Sequence, residues 1–213
     1  MESIADALDD IDRRSDDDLS SDDDGRSITA STLAPDAAPE FVFRRVTQLI
    51  NSTLPVNRHA NALLVALRAH LDEQQLNPSP PAFFGAIMRL LSERNELADD
   101  DEMAALVLLL RQVQPHIPKS ALHRQSNALC STVTAVLQRH GPSCTSVARG
   151  LIPLLLSLAR ADPRGWDASQ QHCLRCLLAL LADSRPKVRR EAHAAVVRLV
   201  RDPVLAKHAI PPT

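Results

Sequence analysis

The sequence predicts an all-α solenoid of about four helical hairpins, preceded by a disordered acidic tail. Three observations indicate this: apolar residues recur at helical spacing, helix starts recur at a nearly constant interval, and strand-forming residues are scarce. The chain has 213 residues, of which 45% are hydrophobic and 2% aromatic, with 5 Gly and no Tyr. Because a strand-rich fold normally uses more β-branched and aromatic residues and more turn glycines, we expect no sheet.

The N-terminal segment differs in kind from the rest of the chain. Residues 1–40 carry 13 acidic and 3 basic side chains, whereas the remaining residues carry 13 acidic and 21 basic side chains. A segment so charged and so poor in apolar residues cannot bury enough surface to offset its chain entropy. We therefore predict a disordered acidic Ser/Asp-rich tail at 1–38, a helical repeat domain at 39–205 and a short flexible C-terminus at 206–213.

Three serines of the tail are candidate phosphorylation sites. Each has an acidic residue three positions further along the chain, the pattern read by an acidophilic kinase: they are Ser15, Ser20 and Ser21. The acidic tail is expected to compete with anionic partners for the basic remainder of the chain. Phosphorylation of these serines adds negative charge to the tail and would strengthen that competition. An unmodified, solubilising tail is the alternative reading.

The helical hairpins are predicted by their period. They are expected at 40–75, 80–114, 118–160 and 165–201. Their second helices are expected to begin near Asn57, Asp101, Ser143 and Pro186. These starts are 44, 42 and 43 residues apart. Stacked helical repeats recur at about 40 to 47 residues, so the interval is typical of HEAT-like or armadillo-like units.

Each hairpin has an apolar side at helical spacing. In the first, the apolar positions are Ala60, Leu63, Leu64, Leu67 and Leu71, which recur every three or four residues. The stretch from Met103 to Leu110 is apolar nearly all round, which indicates a helix packed between neighbours. It is far too short to cross a bilayer, and we expect no membrane association.

The last predicted helix has a basic side. On a helical wheel one stripe contains Lys187, Arg190, Glu191, Ala194, Arg198 and Arg201, and the opposite side is apolar. The candidate contacts to RNA phosphate or to an acidic assembly factor are Lys187, Arg190, Arg198 and Arg201. From residue 111 onward the chain has 15 Lys/Arg against 5 Asp/Glu. An ordinary solvated basic face remains the alternative.

Asp183 and Arg189 are a candidate pair between repeats. Asp183 lies in the loop before the last helix, and Arg189 lies at the edge of that helix's apolar side. A guanidinium there is expected to reach the loop acid of a neighbouring repeat. The arrangement resembles the Asp/Arg ladder of HEAT repeats.

The sequence gives no sign of catalysis. The phosphate-cradling G-x-x-x-x-G-K-[ST], the nucleophile elbow G-x-S-x-G and the zinc-binding H-E-x-x-H do not occur. Cys173 and Cys176 form one C-x-x-C pair, but a structural zinc site usually needs two such pairs. We therefore expect buried free thiols at the four cysteines, no metal and no enzyme activity. We also expect no small-molecule substrate.

Two longer stretches resemble one protein family. The first runs from Ala104 through Ile117-Pro118 to Leu122. The second runs from Val147 through Trp166 to Val200 and contains the motif Pro-Lys-Val-Arg-Arg-x-Ala. Their order and spacing are similar to those in the N-terminal HEAT repeats of the ribosomal RNA-processing protein 12-like family. The resemblance covers about 41–205.

The resemblance implies a nuclear, largely nucleolar factor. It implies binding to pre-ribosomal RNA or ribosome-assembly proteins, and a role in rRNA processing, small-subunit maturation and export. It also implies contact with nuclear transport factors, no enzyme activity and no cofactor. The alternative is a transport-receptor-like adaptor that binds protein peptides between its helical repeats. Salt dependence distinguishes the two, since phosphate binding weakens steeply as salt rises.

Overall fold

The computed structural model of the protein describes Phe43, residues 54–160 and residues 167–202. Within these residues every regular element is helical, and no strand occurs. The helices are α1 (Pro55–Glu73), α2 (Pro80–Arg94), α3 (Asp100–Val113), α4 (Lys119–Arg124), α5 (Ser126–His140), α6 (Thr145–Ala159), α7 (Ala168–Leu180) and α8 (Pro186–Val200), with a 3₁₀ turn at Gln114–His116.

The helices stack in two layers. In one layer α2 contacts α5 and α5 contacts α7; in the other, α1, α3, α6 and α8 contact one another in that order. The pairs α2/α3, α5/α6 and α7/α8 are antiparallel hairpins that each contribute one helix to each layer. This is the predicted solenoid, and α1 is the second helix of its first hairpin. The predicted first helix of that hairpin lies outside the described residues.

The predicted repeat interval is confirmed. The second helices begin at Pro55, Asp100, Thr145 and Pro186, each within two residues of its predicted start. Pro55 and Pro186 stand at first-turn positions, where the missing N–H of proline costs nothing because those donors have no partner within the helix. Asp99 caps α3 by accepting a hydrogen bond from the backbone N–H of Glu102 at 2.8 Å.

The core runs along the interface between the two layers. Helix α3 packs against α1, α2 and α6, and every side chain from Met103 to Leu110 is buried. Phe83 of α2 is also buried and meets Phe43 edge to face, with ring centroids 4.9 Å apart. The prediction that the apolar stretch of α3 is packed on all sides is therefore confirmed.

Helix α6 continues through Pro153. The sequence predicts that this proline bends the helix unless the helix starts there, and the helix starts earlier, at Thr145, and ends at Ala159. Because proline has no N–H, the backbone bond from residue 153 to the carbonyl of Arg149 is missing. Close packing of α6 against α3, α7 and α8 holds the helix in place around this gap.

The predicted tail at 1–38, with Ser15, Ser20 and Ser21, and the predicted C-terminus at 206–213 lie outside the described residues. The boundaries of the domain predicted at 39–205 remain a prediction.

Candidate nucleic-acid interface

Helix α8 has one buried side and one exposed side. The buried residues are Val188, Ala192, Ala195 and Leu199, and they face α6 and α7. On the opposite side Arg190, Arg198 and Arg201 are exposed, and Lys187 is half-buried. The four candidate contact residues therefore lie on the side of α8 that faces away from the other described helices, which we call the basic face.

The exposed arginines of the basic face are not engaged by acidic side chains of the described residues. Among the ion pairs within residues 54–160 and 167–202, none involves Arg190, Arg198 or Arg201. Lys187, in contrast, is engaged in another contact. Three guanidinium groups are thus available to an approaching anion.

Glu191 does not belong to the basic face, contrary to the sequence prediction. Its Oε2 accepts a hydrogen bond from Nε of Arg149 at 2.8 Å, and its Oε1 lies 3.4 Å from Nη2 of Arg111. The side chains of Glu191, Arg149 and Arg111 are 21%, 7% and 20% exposed. The carboxylate is held by two guanidinium groups, one from α6 and one from α3, in what we call the arginine–glutamate triad.

The triad links three successive helices of one layer. Arg111 is in the last turn of α3, Arg149 in α6 and Glu191 in α8. Removal of the carboxylate from the α8 surface leaves the basic face without its one acidic residue. A sequence signal for the Arg149 contact did exist: the two residues are 42 positions apart, close to one repeat.

Arg160 fixes the C-terminal end of the basic face. Its Nη2 donates a hydrogen bond to the carbonyl oxygen of Arg198, and its Nε lies 3.2 Å from Oδ2 of Asp202. Asp202, the acid that follows the exposed Arg201, is therefore neutralised by the cation at the end of α6. The pairing also holds the end of α8 against the preceding hairpin.

The predicted contact between Asp183 and Arg189 differs in detail. Nη1 of Arg189 donates to the backbone carbonyls of Asp183 and Ser184, both at 2.7 Å. The Asp183 carboxylate instead accepts from Arg185, with Nε–Oδ1 2.9 Å and Nη2–Oδ2 2.7 Å. The hydrogen bonds of Arg185 hold the pKa of Asp183 below its ordinary value of 3.8. Arg185 is closer in sequence and presents a two-pronged fork to the carboxylate, so it outcompetes Arg189.

The loops within successive hairpins contact one another at one edge of the solenoid. Arg185, in the α7–α8 loop, also reaches the carbonyl of Pro142 in the α5–α6 loop at 3.4 Å. His140 ends α5, and its Nδ1 and Nε2 lie 2.8 Å from Oδ1 of Asp100 and 3.0 Å from the carbonyl oxygen of Asn95. These contacts form the inter-repeat ladder that the sequence predicted with a different arginine.

Asp100 is stabilised in its charged form by this ladder. Burial alone raises the pKa of Asp100, but hydrogen bonds to Ser143 and His140 and the charge of His140 together outweigh it. The pKa therefore lies below its ordinary value of 3.8.

The four cysteines are free thiols, as predicted, but only three of them are buried. Cys130, Cys144 and Cys173 are buried and Cys176 is half-buried. Within the part of the chain that the structure describes, no three His, Cys, Asp or Glu side chains come together as metal ligands.

The layered hairpins, the period and the loop ladder are features of HEAT repeats, and the comparison with known families agrees. A family model described as RRP12-like, N-terminal HEAT repeats, matches residues 30–203. The chain belongs to this family. The match extends over both layers of the solenoid and includes the basic face, the triad and the ladder.

No curated protein and no solved structure shows significant similarity to the chain. Among the described helices, none combines the length and apolarity that spanning a membrane requires. The family is one of helical scaffolds associated with ribosome biogenesis in the nucleus.

Proposed function

We propose that this chain is a non-catalytic scaffold that binds pre-ribosomal particles in the nucleolus, contacting the phosphate backbone of RNA through the basic face of α8. The observation that carries the proposal is the separation of charge on α8. Its single glutamate is held by Arg149 and Arg111, while Arg190, Arg198 and Arg201 are exposed. Family membership supports the class of particle.

The spacing of the three arginines suits an extended anionic partner. An α-helix rises 1.5 Å per residue, so Arg190 and Arg201 lie about 16 Å apart along α8. Arg198 and Arg201 stand at the C-terminal end, where the helix dipole favours positive charge. Guanidinium binds phosphate through two parallel hydrogen bonds, and such contacts carry no base specificity.

The acidic N-terminal segment is the natural competitor for this face. Residues 1–40 carry 13 acidic against 3 basic side chains, and opposite charges on one chain meet at high effective concentration. We propose that the tail and RNA exclude each other from the basic face. Phosphate on Ser15, Ser20 or Ser21 would favour the tail.

The test is binding of the full chain to a structured pre-ribosomal RNA fragment across a salt series. The variant changes Arg190, Arg198 and Arg201 together to Gln, and Lys187 stays native because it makes another contact. A matched control removes three positive charges elsewhere, at the exposed residues Arg58, Arg124 and Arg175. Both proteins then have the same net charge.

Binding by the control is expected to resemble that of the native chain, whereas the face variant loses affinity and its log–log salt slope falls by about 2 to 3. Equal losses in both variants would reduce the effect to net charge and overturn the assignment to α8. Binding that does not respond to salt, or none at low salt, would overturn RNA contact and favour the peptide-binding adaptor.

A further inference from the structure

A pair of thiols lies between α5 and α7, away from the basic face. Sγ of Cys173 is 3.4 Å from Sγ of Cys130, although the residues are 43 positions apart in sequence. Both side chains are buried, with Cys130 5% and Cys173 0% exposed. Cys130 lies in α5 and Cys173 in α7, the first helices of successive hairpins. The contact between the two sulfur atoms therefore joins neighbouring repeats.

The two thiols have different surroundings. The S–H of Cys173 donates toward Sγ of Cys130, and the S–H of Cys130 donates to the carbonyl oxygen of Ser169 at 3.6 Å. Burial, and next the contact with Cys130, raise the pKa of Cys173 well above its ordinary value. The hydrogen bonds thus run in one direction, from Cys173 to Cys130 and from Cys130 to the backbone of Ser169.

Cys130 also borders an open groove between α5 and α7 with a volume of about 450 Å³. The groove is lined by small and polar side chains, among them Asn127, Ser131, Thr134, Ser169 and His172. Cys173 does not line it and lies behind Cys130. A small polar molecule in the groove thus lies against Cys130, whose sulfur is in contact with that of Cys173.

We propose that Cys130 and Cys173 form a dithiol modification site that takes hydrogen peroxide and closes into a disulfide between the two repeats. The thiol of Cys130 loses its proton, its sulfur attacks one peroxide oxygen, an S–O bond forms and the O–O bond breaks, and the departing hydroxide takes up that proton to become water. The sulfur of Cys173 then attacks Cys130: an S–S bond forms, the S–O bond breaks, and the hydroxide leaves as water with the Cys173 proton. Two thiols are oxidised and one peroxide is reduced to two waters.

The two sulfur atoms are already in contact. Disulfide sulfurs are about 2.05 Å apart, so the two atoms have to approach by about 1.4 Å. The bond would fix the spacing of α5 and α7 and close a loop of 43 residues in the unfolded chain. Thiol–disulfide exchange with a small thiol reverses it.

The other two cysteines serve as internal references. Cys176 is half-buried and its Sγ lies 4.0 Å from Oγ1 of Thr134. Cys144 is buried at the start of α6, in the other layer. Trypsin cleavage after arginine and lysine places the four thiols on separate peptides, with Cys130 on 125–139, Cys173 on 165–175, Cys176 on 176–187 and Cys144 on 140–149.

The test treats the folded full chain with a small excess of hydrogen peroxide, blocks remaining thiols, and maps the tryptic peptides without reduction. The expected result is an intact mass lower by two hydrogen atoms, a dominant cross-link between peptides 125–139 and 165–175, and a higher unfolding midpoint that dithiothreitol restores. The same treatment in urea is expected to scatter the cross-links over all four cysteines.

Two variants check the order of events. Cys173→Ser is expected to leave a sulfenic acid on Cys130 that dimedone traps, and Cys144→Ser is expected to cross-link as the native chain does. A dominant link through Cys144 or Cys176, or oxygen addition without a link in the folded native chain, would overturn the proposal. Because the peptide map uses the native chain, its outcome does not depend on whether a variant folds.

Discussion

Oε2 of Glu191 accepts a hydrogen bond from Nε of Arg149 at 2.8 Å, which joins the second helices of the last two hairpins. Arg149 is 7% exposed and sits against the glutamate with Arg111 on the other side. The contact has two roles. The Glu191 carboxylate balances the charge of the nearly buried Arg149 guanidinium, and the only carboxylate of α8 is thereby directed away from the basic face.

Glu191→Gln is expected to destabilise the protein. The substitution removes the carboxylate charge that Arg149 and Arg111 both face in a half-buried site. The expected loss is about 2 kcal/mol in the free energy of unfolding. This is less than for a fully buried ion pair, because Glu191 is partly solvated. The measurement is urea unfolding of both proteins. The control is Glu93→Gln in the exposed Arg89–Glu93 pair, which is expected to change stability little. Equal effects of the two substitutions would show that the triad carries no special stability.

Gly150→Ala is expected to destabilise the contact between α3 and α6. A Cβ at residue 150 would lie 2.3 Å from Cγ1 of Val107, and the stiff, buried valine cannot turn away. Overpacking of this kind costs about 1 to 3 kcal/mol, which exceeds the gain in helix propensity.

Gly85→Ala is the matched control for this substitution. Gly85 also lies within a helix, but a Cβ there meets no atom within 4 Å. The variant is expected to gain about 1 kcal/mol from helix propensity. Thermal unfolding of the two variants should therefore shift in opposite directions, and a shift of Gly150→Ala to higher temperature would contradict the packing described for α6.

Asp183→Asn is expected to destabilise the protein near neutral pH but not in strong acid. Arg185 holds the folded-state pKa of Asp183 below 3.8, so the charged carboxylate contributes stability above its unfolded pKa. That contribution is lost as pH falls through the lower folded pKa. The stability difference between native chain and variant, measured from about pH 7 to about pH 2.5, should shrink in acid. A difference that stays constant would assign the effect to shape alone.

Deletion of residues 1–38 is expected to strengthen RNA binding, because it removes a net negative segment that competes for the basic face. The gain in RNA affinity should be largest at low salt, where the attraction between the tail and the rest of the chain is least screened.

Phosphorylation of the full chain by an acidophilic kinase is expected to weaken RNA binding. The control is a chain with Ser15→Ala, Ser20→Ala and Ser21→Ala, treated with the same kinase. RNA affinity unchanged by both treatments would remove the tail from the mechanism.

Local patterns predicted most of the fold. The start of α8 at Pro186 was predicted to the residue, since proline fixes the first turn of a helix. The all-round apolar stretch of α3 was placed correctly between neighbouring helices, because only a helix covered on every side lacks a polar stripe. The sequence paired Asp183 with Arg189, and Arg189 does contact Asp183, but through the Asp183 backbone carbonyl. The carboxylate binds Arg185 instead. Sequence alone does not distinguish the two arginines, because both are equally basic.

The sequence by itself determined the all-helical class, the repeat interval and the basic side of α8, because these depend on spacing along the chain and on helix geometry. Tertiary structure alone decided the partner of Glu191 and the contact of Cys130 with Cys173. Glu191 is 42 positions from Arg149 in the sequence, and Cys130 is 43 positions from Cys173. A helical wheel places a side chain on a face of its own helix. Which neighbour that face meets, and which charge is thereby removed from the surface, depends on how successive hairpins stack.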